Sequence, residues 1–451
     1  MEIKINIPAD TNELIHTLQN NGHSAYIVGG CVRDSILGRT PHDYDICTSA
    51  TPSEMLEIFK DKKIIETGLQ HGTVTVVVNG EPYECTTFRI DGIYSDNRKP
   101  DAVTFTDKLV EDLRRRDFTI NAMAYNDEEG LIDPFNGMED IKYKKINCVG
   151  FAEDRFGEDA LRILRAIRFA AQLEFTITPG TDREIHKQYK NLENISIERI
   201  NSEFCKIASS DDFCVELLLY KDVFSLFIPE LKDMFDFPQN NPWHICDVFR
   251  HTIHAVEYCD SDDLTVRLAV FFHDFGKPHS YQDGENGIRH FKGHGKVSAD
   301  MTDSIMKRLR FDNETRNNVV ELVYYHDATF EVGKKYVKRW LNKIGEKQFR
   351  RLLQVKKADN KAQNLELSSD RIKELSEIET LIDEVLQEDE CFSLKDLAVN
   401  GKDLIGVGYK AGKELGNTLN KLLQLVIDGD CPNEKEKLLQ EAESLWMERR
   451  M

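Results

Sequence analysis

No stretch of this 451-residue chain approaches the ~20 consecutive apolar residues that a membrane-spanning helix needs. Met1 to Asn20 also lacks the apolar core of a signal peptide. These two absences lead us to expect a cytosolic protein with no membrane partner. Cys-x-x-Cys pairs are missing as well. The ten cysteines lie scattered without the short spacings of a zinc site, so in a reducing compartment they read as small core hydrophobes. Positive charge is also outnumbered, 59 Lys and Arg against 79 Asp and Glu. A net charge of −20 excludes a protein that coats nucleic acid non-specifically. It still leaves room for a local basic surface, and Arg114-Arg115-Arg116, Arg155, Arg162, Arg165 and Arg168 concentrate one in the first half. Acidic residues crowd instead between Glu374 and Glu390, so a polyanion would meet the first half.

What is present centres on Tyr26 to Cys47, YIVGGCVRDSILGRTPHDYDIC. Tyr26-Ile27-Val28 reads as a strand, Gly29-Gly30 breaks it, Val32 to Leu37 reads as a short helix, and Tyr44 to Cys47 as a second strand. Two glycines between a strand and a helix let backbone N–H groups approach a phosphate. A period of two puts Asp43 and Asp45 on one face of the second strand, where their mutual repulsion is costly unless a cation lies between them. Hard oxygen donors with few other ligands suit Mg²⁺ carrying a substrate's phosphates.

Around this stretch the spacing predicts helices over 12–19 and 52–60, the latter with Thr51 as N-cap. Two strand-like runs, Gly72 to Val78 and Tyr83 to Ile90, flank Asn79-Gly80 and predict a hairpin. Glu84 lies on its second strand, a candidate third carboxylate beside Asp43 and Asp45. Asp91 to Thr106 is polar and turn-rich, a loop with strand character at Val103 to Phe105. In RRRDFTINAMAY, Asp117 and Asn121 stand four apart and would share one helical face. LIDPFNG, ending at Gly137, closes a compact N-terminal domain. GEDALRILRAIRFAAQL then predicts one long amphipathic helix with Leu161, Leu164, Ile167 and Ala171 buried. Glu158, Asp159, Arg162 and Arg165 lie on its other faces, as ordinary surface ion pairs or as a base-reading group. A carboxylate accepts from the exocyclic amine of cytosine or adenine and a guanidinium donates to the adjacent ring nitrogen, a pattern guanine and uracil reverse.

These segments carry a resemblance. GGCVRD, HDYD, ETGLQHGT, ECTTFRIDG, RRRDFTINAMA, LIDPFNG, EDALRILRAIRFA and ERINSEF occur in the order found in class II CCA-adding tRNA nucleotidyltransferases, a family whose head is shared with bacterial poly(A) polymerases. The resemblance implies an α+β head with a polymerase-β-like mixed sheet, followed by an all-α neck, body and tail. The implied boundaries are 1–138, 139–209, 210–362 and 363–451. It implies addition of CCA to the 3′ end of tRNA from CTP and ATP, with two Mg²⁺ ions in the head. By the same resemblance Asp43, Asp45 and Glu84 are catalytic and hold the metal. Gly29, Gly30, Arg33, Arg116, Asp117, Asn121 and Arg165 bind the nucleotide, and Glu158, Asp159 and Arg162 read its base. Poly(A) polymerases and partial CC- or A-adding enzymes are alternatives within the family. ETGLQHGTVTV and an unshortened loop from Asp91 to Pro100 favour full CCA addition.

Between Trp243 and Asn360 a second constellation occurs, with His251, the doublets His273-Asp274 and His326-Asp327, His294, and Asp359. Histidines and aspartates on successive helices are what a divalent-metal site inside a helical bundle requires. The set resembles the HD phosphohydrolase domain. That resemblance implies His251, His273, Asp274 and Asp359 as ligands of a divalent transition metal, with His294 and His326 extending the site. The alternative from another class is an HD phosphohydrolase whose head only binds RNA, and a third is an RNA-binding scaffold without catalysis. The tail from Leu365 is helical, and its glycines Gly401, Gly406, Gly408 and Gly412 would either meet an RNA phosphate or end helices.

Overall fold

In the computed structural model, which describes residues 3–92, 102–388 and 390–448, the chain gathers into two compact units, Met1–Phe227 and Ile228–Met451. The first unit is built on a seven-stranded mixed sheet. Its strands are β1 (Ala25–Val28), β2 (Ile46–Thr48), β3 (Lys63–Ile65), β4 (Thr73–Val78), β5 (Glu81–Thr87), β8 (Ala124–Asn126) and β9 (Gly130–Ile132), in the order β3-β4-β5-β2-β1-β8-β9. Between them in sequence, β6 (Arg89–Asp91) and β7 (Val103–Phe105) form a separate antiparallel ribbon. The loop expected from Asp91 to Thr106 therefore has this ribbon at its base, and its residues 93–101 lie outside the described residues.

Every pairing in the main sheet is antiparallel except β2 with β5, whose register sets Ile46 beside Cys85. The hairpin turns where the sequence puts it, although its second strand ends at Thr87 and the expected run to Ile90 passes into the separate ribbon. Asn79 and Gly80 adopt φ of 53° and 92°, the left-handed pair a two-residue turn demands, and Val74, Val76 and Val78 alternate into the core. Helix Pro52–Ile58 starts at a capping box of Thr51 and Glu54, as expected from Thr51. The first helix, Ala9–Asn20, is longer than the pattern predicted and buries Leu14, Ile15 and Leu18.

Three expectations are corrected. Strand β2 begins at Ile46, so Asp43 and Asp45 precede it rather than lying within it. RRRDFTINA is not one helix: Leu109–Arg114 stops, and Thr119–Asn121 is a single tight turn. Between them the chain pairs in strand fashion, Val149 N donating to Asp117 O at 3.1 Å and Thr119 N to Asn147 O at 2.9 Å. GEDALRIL also divides, because Asp159 is extended (φ −135°, ψ 105°) between helices Ala152–Glu158 and Leu161–Leu173. The predicted stripe of Leu161, Leu164, Ile167 and Ala171 is buried in the second of these.

The second unit is nearly all helical. Helices Val248–Glu257, Leu264–Phe272, His294–Arg308, Asn313–Tyr325 and Lys334–Lys361 surround its core, the last broken at Gly345. Leu264–Phe272 is apolar apart from Thr265 and Arg267 and is buried from Thr265 to Phe272, so the residues at its C-terminal end are delivered into the interior. Farther along, Leu404, Leu422, Leu423, Ile427, Leu438 and Ala442 pack three short helices into a separate core. Gly408 ends one of these helices at φ 116° and Gly412 starts the next, so both serve as helix-end glycines.

Candidate functional sites

Gly29 sits at φ 83°, where the backbone favours glycine, and a Cβ there would fall 2.9 Å from Arg116 Nη1, so a side chain at this turn would displace that guanidinium. From this turn a string of hydrogen bonds crosses the first unit. Arg33 Nη1 donates to Asn121 Oδ1 at 2.6 Å, Asn121 Nδ2 to Asp117 Oδ1 at 3.2 Å, and Arg165 Nε to Asp117 Oδ2 at 2.7 Å. Asp117 and Asn121 thus come together, although the single helical face expected for them does not exist. Burial would push the Asp117 carboxyl up, but Arg165, Arg162 and Asn121 outweigh it and hold the group at about 2. The guanidiniums of Arg33, Arg165 and Arg168 lie 4.9, 5.3 and 4.1 Å from the ring of Phe169, a concentration of positive charge beside the glycine turn.

Asp43, Asp45 and Glu84 are solvent-accessible. The parallel register of β2 on β5 carries Asp45 to the neighbourhood of Glu84. The Asp45 carboxyl is raised, first by desolvation and then by the charge of Asp43, with Glu84 adding and Arg116 opposing. Acids that raise one another's proton affinity are relieved by a cation, so these three fit a hard divalent ion. They are looser than the sets in the second unit, since among the described residues the groups with ligand atoms all within 4.8 Å of one another are found there.

The base-reading candidates are each engaged. Glu158 accepts from Arg155 Nη2 and from Arg162 Nη1, both at 2.5 Å. Arg162 Nη2 donates to Arg115 O at 2.9 Å. Asp159 Oδ1 accepts from Leu161 N at 3.0 Å, and Oδ2 from Arg199 Nη2 at 2.8 Å. The sequence reading missed Arg199, although it lies in ERINSEF. It also missed Asp112, which stands three and four residues before Arg115 and Arg116 and pairs with both.

In the second unit all six predicted residues converge. Asp359 Oδ1 lies 2.9 Å from His251 Nε2 and 3.7 Å from His273 Nε2. Asp274 Oδ2 lies 3.4 and 3.2 Å from the same two nitrogens, and Asp274 Oδ1 lies 3.4 and 3.8 Å from His294 and His326 Nε2. The Nδ1 atoms of His273, His294 and His326 point at the carbonyls of Val270, Phe291 and Val323, at 2.6 to 2.8 Å. Donation there fixes the tautomer and turns an Nε2 lone pair inward, the orientation of metal-binding histidines. Two Nε2 atoms then face one another at 3.3 Å (His251 and His273) and 2.9 Å (His294 and His326), contacts that repel unless a cation or proton intervenes.

Both Asp274 oxygens are buried without a hydrogen bond. Lys277 Nζ stands 2.6 Å from Oδ2, an ion-pair separation without hydrogen-bond alignment. Burial pulls His251 and His326 below their ordinary range, while Asp274 and Asp359 outweigh burial at His273 and raise it. Imidazole and carboxylate in this number suit a first-row divalent ion, and Asp274 is shared by two overlapping ligand sets. A cavity of about 300 Å³, lined by His244, Lys277 and Asp327 among others, opens on the cluster. Lys277 and His244 escaped the sequence reading because each is a lone residue with no doublet to mark it.

Three family models match: the poly A polymerase head domain over residues 25–147, the probable RNA and SrmB binding site of polymerase A over 174–235, and a putative tRNA nucleotidyltransferase domain 2 over 282–442. The CCA-adding enzyme of Lactobacillus delbrueckii subsp. bulgaricus is 52% identical over 199 residues, 44% of this chain and 50% of that relative, so the aligned stretch spans half that relative's length. The CCA-adding enzyme of Ligilactobacillus salivarius is 32% identical over 458 residues, 98% of this chain and 99% of the relative. That of Lactobacillus helveticus is 34% identical over 445 residues, covering 95% and 96%. Among solved structures, the Bacillus stearothermophilus CCA-adding enzyme in complex with CTP matches with a TM-score of 0.72 at 28% identity, over 99% of both chains. The Thermotoga maritima CCA-adding enzyme complexed with tRNA shares the fold, at a TM-score of 0.63 and 22% identity, over 98% of this chain and 96% of that one.

Proposed function

Because the chain belongs to the family of CCA-adding enzymes, we propose that it extends the 3′ end of tRNA with C, C and A from CTP and ATP, without a nucleic-acid template. The observation that carries this reading is the hydrogen-bonded string Arg33–Asn121–Asp117–Arg165, which starts beside the Gly29-Gly30 turn. Such a string fixes guanidinium donors before the substrate arrives, which suits a triphosphate whose position must not change between three successive additions.

Arg33, Arg116 and Arg165 would bind the triphosphate, with the Gly29-Gly30 backbone close to it. Asp117 and Asn121 hold Arg33 and Arg165 in place and reach the ribose. Glu158, Asp159 and Arg162 would read the base edge, the carboxylate of Asp159 accepting from the amine of cytosine or adenine. The tRNA 3′-hydroxyl would then attack the α-phosphate in line, and pyrophosphate would leave. A divalent-metal requirement goes with this head, and we assign two Mg²⁺ ions to Asp43, Asp45 and Glu84. Bound there, the ions supply the Lewis acidity that activates a hydroxyl and neutralises the leaving pyrophosphate.

The head would span 1–138, the base-reading neck 139–209, the body 210–362 and a tRNA-anchoring tail 363–451. Among the described residues no helix is long and apolar enough to cross a membrane, and we place the protein in the cytosol. Asp45→Asn tests the assignment, because it removes a ligand without removing basic surface. Nucleotide incorporation should vanish while tRNA affinity in a gel shift stays within about twofold. Incorporation near that of the parent would mean that Asp45 holds no metal.

One observation favours a second activity in the same chain. The buried Asp274 oxygens and the inward-facing Nε2 atoms support an HD-type phosphohydrolase site using a divalent transition metal. His251, His273, Asp274 and Asp359 would hold one ion, and His294 and His326, with Asp274, a second. When bound, such a metal supplies a water activated for attack on a phosphoester. Lys277 lines the cavity and offers a cation to the phosphoryl oxygens.

A further inference from the structure

Asp112 is enclosed in the head with no solvent exposure. Its Oδ1 accepts from Arg115 Nε at 3.0 Å and Nη2 at 2.8 Å, and from the Arg89 N–H at 3.3 Å. Its Oδ2 accepts from Arg116 Nη2 at 3.4 Å. Asp91 pairs with Arg89 at 3.1 Å and with Arg115 at 3.8 Å, so three guanidiniums meet two carboxylates and one positive charge is left over in this group. The excess is available to an anion.

Arg116 is the member of this group that reaches the site. Its Nε is buried without a partner, and its Nη1 lies against Gly29, 2.9 Å from where a Cβ would stand. Its charge is felt at Asp45. The guanidinium therefore lies beside the glycine turn and within electrostatic reach of Asp45, and Asp112 is the buried carboxylate that holds one of its nitrogens. Without that anchor a long side chain would sample several rotamers, and each would have to be frozen out when the nucleotide binds.

We propose that Asp112 is a positioning residue for nucleotide binding, holding the Arg116 guanidinium beside the Gly29-Gly30 turn where the triphosphate of CTP or ATP arrives. This rests on the assignment of Arg116 to the nucleotide site made above. The triphosphate is common to both substrates, so Asp112 serves CTP and ATP alike and has no part in base choice.

The test compares Asp112→Asn, Arg116→Ala and the double variant in the full-length protein. Asparagine keeps the size and an acceptor but not the charge. Two readouts are taken: steady-state CTP and ATP incorporation, and direct equilibrium binding of CTP without tRNA. We expect Asp112→Asn to raise KM for both nucleotides, and Kd for CTP, by about tenfold, the weight of one charge-assisted hydrogen bond. kcat should stay within about threefold and CTP should be preferred over UTP as before. The double variant should bind CTP no worse than Arg116→Ala alone, because Asp112 acts through Arg116.

If Arg116→Ala weakens CTP binding and Asp112→Asn leaves KM and Kd unchanged while lowering thermal stability, Asp112 only holds the fold together and the inference is overturned. If Arg116→Ala itself leaves CTP affinity unchanged, the assignment of Arg116 has failed and the inference falls with it. Should Asp112→Asn give too little folded protein, Asp112→Glu, which keeps the charge but displaces it by one methylene, is measured with the same outcomes.

Discussion

Asp159→Asn separates base selection from stability, because the two effects differ in size. In the fold, Asp159 caps Leu161 N with Oδ1 and accepts from Arg199 with Oδ2. Asparagine keeps one acceptor oxygen for the cap. The Asp159–Arg199 pair is partly solvated, with side chains 17% and 30% exposed, so its loss should cost only ~0.5–1 kcal/mol. At the base edge the change is larger. Asparagine can put an N–H₂ donor where a carboxylate had accepted, so it opposes the amine of cytosine or adenine and suits the carbonyl of uracil or guanine. Losing one good pairing partner costs ~1–3 kcal/mol of discrimination, about ten- to a hundredfold. The assay is single-turnover incorporation of each of the four nucleotides, scored as the CTP-to-UTP and ATP-to-GTP ratios. Both ratios should collapse by at least tenfold while the melting temperature drops by only a few degrees. Unchanged exclusion of UTP and GTP, together with that small loss of stability, would mean that Asp159 is an ion-paired helix junction and nothing more.

His273→Ala should abolish metal-dependent hydrolysis of phosphoesters, assayed with Ni²⁺, Mn²⁺ and Co²⁺, and leave CCA addition within a few-fold. Equal loss of both activities, with the fold intact by circular dichroism, would contradict two separate sites. Glu216 offers a pH test: burial, with Asp212 and Asp182 adding, raises its carboxyl to about 8, and its Oε2 is buried unpartnered. Between its unfolded value near ~4.3 and about 8 the native state holds a proton that the unfolded chain has lost, so stability falls as pH rises by up to ~1.4 kcal/mol per unit. Glu216→Gln should flatten that fall and raise the melting temperature at pH 8 but not at pH 4.5. Parallel curves for parent and variant in thermal melts across this range would show that Glu216 is ionised in the native state.

The legible parts of this fold are those where local chemistry leaves few choices. Asn79-Gly80 is a pair that accepts two positive φ angles, so the hairpin and the place of Glu84 could be read directly. The His273-Asp274 doublet at the end of a mostly apolar helix announced a buried site, and the structure brings its residues together, Asp359 through His251 and His273. The misread parts are those where distant residues decide. Glu158 and Asp159 suit a helix, yet Asp159 is extended, with its carboxylate shared between Leu161 N and Arg199, forty residues on. RRRDFTINA has a helical pattern too, but pairing of Asp117 and Thr119 with Val149 and Asn147 overrides it. Asp112 carries no motif of its own, and its importance appears only once Arg116 is seen against Gly29.

Template-free addition of C, C and A by this one chain can be read directly from its products. Purified protein is incubated with a tRNA lacking its last three nucleotides, with CTP alone, ATP alone and both, and the products are sequenced. Two C residues are expected with CTP alone, no extension with ATP alone, and CCA with both, after which extension stops. An A tail grown from ATP alone, or no incorporation from any mixture in the presence of Mg²⁺, would contradict CCA addition.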